Sequence, residues 1–266
     1  MSEQKTDDQR SDGAGDTDYT AAAAAYERFR RPDPRIAEVL HRQLGEARTV
    51  LNVGAGTGSY EPRDRYVLAV EPSAAMRARR APDAVVPAVD AAAEALPFDD
   101  GAVDAAMAVF TVHQWPDVGR GLRELRRVAA GPVVVMTLDI DALPDFWLGR
   151  YLPERLAAEQ RRFPPLADLA TALGGHVEIT PVPIPLDCSD GFLEAYYGRP
   201  EALLDQRVRA AQSGWQFVDP AAAERGLGRL ATDLDSGSWD RSHGALRTQP
   251  SYTGPLVLVT SRTEAP

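Results

Sequence analysis

The sequence predicts an α/β protein: a doubly wound sheet of seven mostly parallel strands with helical insertions capping one end. Three observations carry that expectation. Seven short β-rich runs alternate with segments of helical periodicity, the pattern of successive βα units. A turn with glycine at 54, 56 and 58 follows the first run directly, at the place where open α/β sheets bind ligands. Two connections late in the chain, 141–165 and 185–254, are much longer than a sheet crossover needs.

Taken in order, residues 1–18 carry six acids and two bases and no apolar periodicity, which predicts a disordered, solubilising tail before one domain over 19–266. In "YERFRRPDPRIAEVLHRQLG", Ile36, Val39, Leu40 and Leu44 share one helical face and Gly45 ends it. "TVLNV" (49–53) and "YVLAV" (66–70) read as strands buried on both faces. The residues between them hold Pro62 and the charged "RDR", so this crossover has room for one helical turn at most. Further strands are expected at "AVVPAV" (84–89), "AVDAAMAVFTV" (102–112), "PVVVMTL" (132–138), "HVEITPVPI" (176–184) and "PLVLVTS" (255–261). Val118, Leu122, Leu125 and Val128 stripe a helix over 116–130, and 166–173 is a short helix closed by two glycines. Both insertions read as helical and follow strand ends late in the sheet, the source of a cover over a ligand crevice.

Composition narrows the function. A chain of 266 residues, 44% hydrophobic, can bury one large core. No apolar run approaches the roughly 20 residues of a membrane span, and the first residues do not resemble a signal peptide, so the cytoplasm is expected and no membrane partner. A net charge of -10 argues against nucleic acid. Cys188, the sole cysteine, excludes an internal disulfide and a thiolate zinc cluster, and His41, His113, His176 and His243 show no metal-ligand spacing.

The glycine turn poses the ligand question. A dinucleotide site needs a helix straight after its glycines, to aim backbone N–H groups at a pyrophosphate, and here the connector is too short. "LNVGAGTG", "VLAVEPS", "AEALPFDDGAVDAAMAVFTVHQWPD" and "LRRVAAGPVVVMTLD", in that order over roughly 46–140, resemble the class I S-adenosylmethionine-dependent methyltransferases. The resemblance is to the branch related to the ubiquinone and menaquinone biosynthesis enzymes. It implies a Rossmann-like fold, S-adenosylmethionine as cofactor, and methyl transfer to an O, N or C atom of a small molecule. That cofactor carries no phosphate, so the missing helix is tolerable and NAD is disfavoured.

Gly54, Gly56 and Gly58 let the backbone pass close under a ligand. Glu71 would accept hydrogen bonds from two ribose hydroxyls, or else simply opens the helix at "EPSAAMRARR". The resemblance adds Asn52, Pro72, Ala92, Ala93 and Val109 to the cofactor's surroundings. Asn52 stands where the family usually has an acid, which loosens or rearranges the grip on the methionine end. Ala92 stands where an acid often binds the adenine amino group, leaving the backbone near Ala93 for that contact. Tyr26 and Arg31 lie in a segment that in the family closes over the cofactor, where an arginine pairs with its carboxylate; a solvated helix-end charge is the alternative for Arg31. His113, just past the fourth strand, is the candidate base, or a residue that only shapes its loop. Methyl transfer to an already nucleophilic atom needs mainly proximity and orientation. Among the aromatic residues of the insertions, Trp147, Tyr196 and Tyr197 are the expected substrate contacts. Asp187 and Asp190 read as turn residues, and Cys188 as buried and structural. Two other readings keep the cofactor without methylation: a regulatory binding protein, and a cyclase- or decarboxylase-like enzyme.

Overall fold

The computed structural model describes residues 28–80 and 86–263. The expected tail over 1–18, Tyr26 and the start of the run at 84–89 lie outside the described residues. The strands are β1 (Thr49–Val53), β2 (Tyr66–Val70), β3 (Ala88–Val89), β4 (Ala105–Val109), β5 (Val133–Leu138), β6 (His176–Pro181), β7 (Ile184–Pro185), β8 (Ser251–Tyr252) and β9 (Leu256–Arg262). The helices are α1 (Pro34–Gln43), α2 (Ala74–Ala78), α3 (Val118–Val128), α4 (Pro153–Arg162), α5 (Leu166–Leu173), α6 (Gln206–Ala210), α7 (Pro220–Asp235) and α8 (Ser238–His243).

The main sheet has seven strands in the order β3-β2-β1-β4-β5-β9-β6, and β7 and β8 pair separately. β1 to β5 are parallel, whereas β9 runs antiparallel to both β5 and β6. Strand order reverses between β1 and β4, and the crevice of a doubly wound sheet opens beyond the carboxyl ends of those two strands. The alternation of β1 splits the core into two layers. Val50 faces α1 and the insertions together with Met107, Met136 and Leu258. Leu51 and Val53 face the opposite way, with Ala106, Val135 and the Leu122, Leu125 and Val128 stripe of α3.

Local chemistry fixes the helix starts. Asp33 precedes Pro34, and its carboxylate accepts from the Arg35 N–H at 3.0 Å. Asp117 and Asp219 cap α3 and α7 in the same way. Two expected strands are shorter than the hydrophobic runs that announced them. The run at 102–112 narrows to β4, because Val103 makes an isolated bridge to Ala129 and Phe110 turns the chain at φ 51°. The run at 176–184 breaks after Pro181, where Pro181 and Pro183 have no N–H for a ladder. The crossover 54–65 contains turns and no helix.

The segment between β3 and β4 also lacks a helix. Leu68 and Val70 alternate onto the α3 side of the sheet, and of the two only Val70 is buried there. Tyr66, Leu68 and Val89 are 79%, 39% and 43% exposed. Among the described residues no helix is long and apolar enough to cross a membrane.

Candidate functional site

At the end of β1 the chain turns at Gly54, with φ +67°, against Thr111 beyond β4. A Cβ there would overlap the Thr111 side chain, so glycine is required both by the backbone angle and by the approach. Two residues on, the Gly56 N–H donates to Glu71 Oε2 at 2.8 Å, and the Ser73 N–H donates to Oε1 at 2.8 Å. Glu71 thus ties the glycine turn to the start of α2 from the end of β2. Burial pushes its carboxyl above the ordinary range, against the pull of those two N–H groups. Beside it Asn52 donates through Nδ2 to Glu61 Oε1 at 3.0 Å, and Glu61 pairs with Arg80 at 2.8 Å. Asn52 Oδ1 is buried and has no hydrogen-bond partner.

The middle of the site comes from the end of β4 and the turn after it. Phe110, at positive φ, lies 5.4 Å from Phe192, with the Arg30 guanidinium 5.6 Å from its ring centroid. His113 sits on the single 3-10 turn Val112–Gln114 and stacks on Phe163 at 4.1 Å and 21°.

The insertions and the segment before α1 supply the roof. Arg155 and Arg162 of α4 both pair with Glu159, at 2.5 and 3.0 Å. Burial alone would raise the Glu159 carboxyl, yet Arg155, Arg162 and His113 hold it below the ordinary range. Arg30 pairs with Asp190 at 2.6 Å, and the Tyr60 hydroxyl donates to the same carboxylate at 2.9 Å. Glu194 lies deeper, and burial pushes its carboxyl up to about 7.

Floor, middle and roof line one cleft. Of the residues singled out in the sequence, Asn52, Gly54, Gly56, Glu71, Val109 and His113 line it. Gly58, Pro72, Ala92 and Ala93 do not. Gly58 turns the chain beside Glu61, and Ala93 is buried against Gly121 of α3. Arg31 is exposed, and the arginine of its segment that faces the cleft is its neighbour Arg30. The expected substrate contacts need correction. Trp147 donates through Nε1 to the Tyr197 carbonyl at 2.9 Å, and the Tyr197 hydroxyl donates to the Gln249 carbonyl at 2.7 Å. Tyr196 is buried with the Arg199 guanidinium 5.2 Å from its ring. All three are buried in the core that the cap shares with the sheet, and none lines the cleft. Tyr26 lies outside the described residues.

Sequence reasoning missed Arg155, Glu159, Arg162, Phe163, Glu194 and Gln212 on the cleft wall. The signal available was the charged spacing of 155, 159 and 162 on one face of a helix, which is the pattern of a solvated helix face as well.

Comparison with known proteins agrees with this fold. Residues 51–131 match the family model described as a methyltransferase domain. The chain is 40% identical over 60 residues to the uncharacterised protein YafE of Escherichia coli K12, a match that spans 21% of this chain and 29% of that protein. A solved structure from Anabaena variabilis, provisionally described as a methyltransferase from an antibiotic biosynthesis pathway, superposes with a TM-score of 0.81. It is 29% identical, over 88% of this chain and 99% of that one.

Proposed function

We propose that this chain, an S-adenosylmethionine-dependent methyltransferase, transfers the methyl group to an O, N or C atom of a small molecule held beneath its cap, as a step of cytoplasmic biosynthesis. The carrying observation is that the glycine turn with Glu71 and the charged underside of the cap share one cleft. The motif blocks over 46–140 favour the branch related to ubiquinone and menaquinone biosynthesis. The likeness to a protein described as belonging to an antibiotic pathway favours a biosynthetic role.

The floor fits the cofactor. Each Glu71 oxygen takes one backbone N–H and retains capacity for a ribose hydroxyl. Gly54 and Gly56 adopt the positive φ that the turn beside Glu71 requires. Asn52 Oδ1, buried and without a partner, suits the ammonium at the methionine end, and Arg30, paired with Asp190, lines the same cleft. Bound there, the cofactor supplies a methyl group made electrophilic by its sulfonium. The chain's own residues bind and orient both reactants and keep water out, the main requirements when the accepting atom is already nucleophilic. Where that atom carries a proton, His113, stacked on Phe163 near Glu159, can hold it.

The test supplies methyl-labelled S-adenosylmethionine and a low-mass metabolite extract to the purified protein. Label in a small molecule, with S-adenosylhomocysteine formed in equal amount, is the expected result. Label confined to protein or nucleic acid overturns the small-molecule reading, and a bound but unconsumed cofactor overturns methyl transfer.

A further inference from the structure

We infer that Glu194 makes the inner wall of the cleft a subsite for a positively charged group, its carboxylate serving as the counter-ion of a cation carried by a bound ligand. The inference rests on the proposed function, in that the cleft takes the cofactor and its acceptor together. Glu194 lies in the 3-10 turn Leu193–Tyr196, is 1% exposed, and lines the cleft. Its Oε1 is buried without a hydrogen-bond partner. The other carboxylates of the wall are committed: Glu71 to two N–H groups, Glu159 to Arg155 and Arg162, Asp190 to Arg30 and Tyr60.

A buried carboxyl in this condition favours its neutral form. The charged groups that face it pull in opposite directions. Glu159 raises it, while Arg155 and Arg30 lower it, and the Tyr252 phenol lies within its field. Arg155 and Arg30 are each held by another carboxylate, so burial prevails and the carboxyl is poised at about 7. A cation entering the cleft reverses the balance. It ionises Glu194, gains a partner already desolvated, and expels a proton, so cation affinity and proton affinity at this site are linked. Two groups meet the description, the sulfonium of the cofactor and a protonated amine on the acceptor.

Calorimetry on the full chain separates them. Binding of S-adenosylmethionine and of S-adenosylhomocysteine is measured at pH 7 in buffers of different ionisation enthalpy, which reports protons released. The two ligands share every other group, so their difference isolates the sulfonium. If the sulfonium is the cation, S-adenosylmethionine releases about half a proton more, and Glu194→Gln abolishes the difference while weakening that ligand about tenfold. If the acceptor brings the cation, the two ligands behave alike. Protein saturated with S-adenosylhomocysteine then binds n-butylammonium in preference to n-butanol, and Glu194→Gln removes the preference. A wild-type protein with neither response overturns the inference, whether or not the variant folds. Failure of S-adenosylmethionine to bind at all overturns instead the function on which it rests.

Discussion

Glu194 affects stability as well as binding. Its carboxyl is near 4.5 in the unfolded chain and about 7 in the fold, so between those values the folded state holds a proton that the unfolded state has released. Stability from this group therefore falls as pH rises through that window. Glu194→Gln, which carries no charge at any pH, should match the wild type at pH 4 and exceed it by about 1–3 kcal/mol at pH 8. Thermal melting across that range checks the sign. Glu71 responds differently, because its oxygens organise the turn that faces the ligand. Glu71→Gln keeps an acceptor but loses the charge, and cofactor Kd should rise about tenfold by calorimetry. Unchanged affinity would leave Glu71 as a brace for the turn and nothing more. Glu71 precedes α2 and Glu194 lies within a 3-10 turn, and only Glu71 was legible in the sequence, through its place after a strand that follows a glycine turn. Glu194 sits in "GFLEAYYG", whose pattern says only that the segment is apolar. Its exclusion from water is a product of the tertiary packing.

At the scale of elements, the strands of the sheet were readable because burial on both faces demands continuous β-branched runs. Their ends were not readable, since Phe110 and Pro181 stop strands for reasons of backbone angle and missing N–H groups within apolar sequence. The insertions read in the sequence as a cover, with their aromatic residues on its inner wall. Aromatic composition does not distinguish the core of a cap from its lining. Trp147→Ala and Tyr197→Ala should each cost about 3–5 kcal/mol of stability, seen as a lower denaturant midpoint. Gly226 of α7 makes the same point from the opposite direction. A Cβ there would press on the Tyr151 carbonyl and the Leu152 side chain, so Gly226→Ala should push α7 off the cap and cost about 1–3 kcal/mol. An unchanged melting temperature would show that the cap tolerates looser packing than these contacts imply.

For the whole molecule, the strip of Tyr66, Leu68 and Val89 bears on colloidal behaviour. An exposed apolar patch beside the short terminal strand β3 is a place where two molecules can adhere. The net charge of -10 opposes this by mutual repulsion between whole chains. That repulsion reaches about 10 Å in 0.1 M salt and only about 3 Å in 1 M salt, whereas apolar adhesion does not weaken as salt is added. The protein should therefore disperse well in dilute buffer and self-associate in 1 M sodium chloride, as scattered light would register. Leu68→Lys should suppress the association without altering cofactor affinity, because the strip and the cleft share no residue. The same balance sets a practical order for purification, in which salt is lowered before the protein is concentrated.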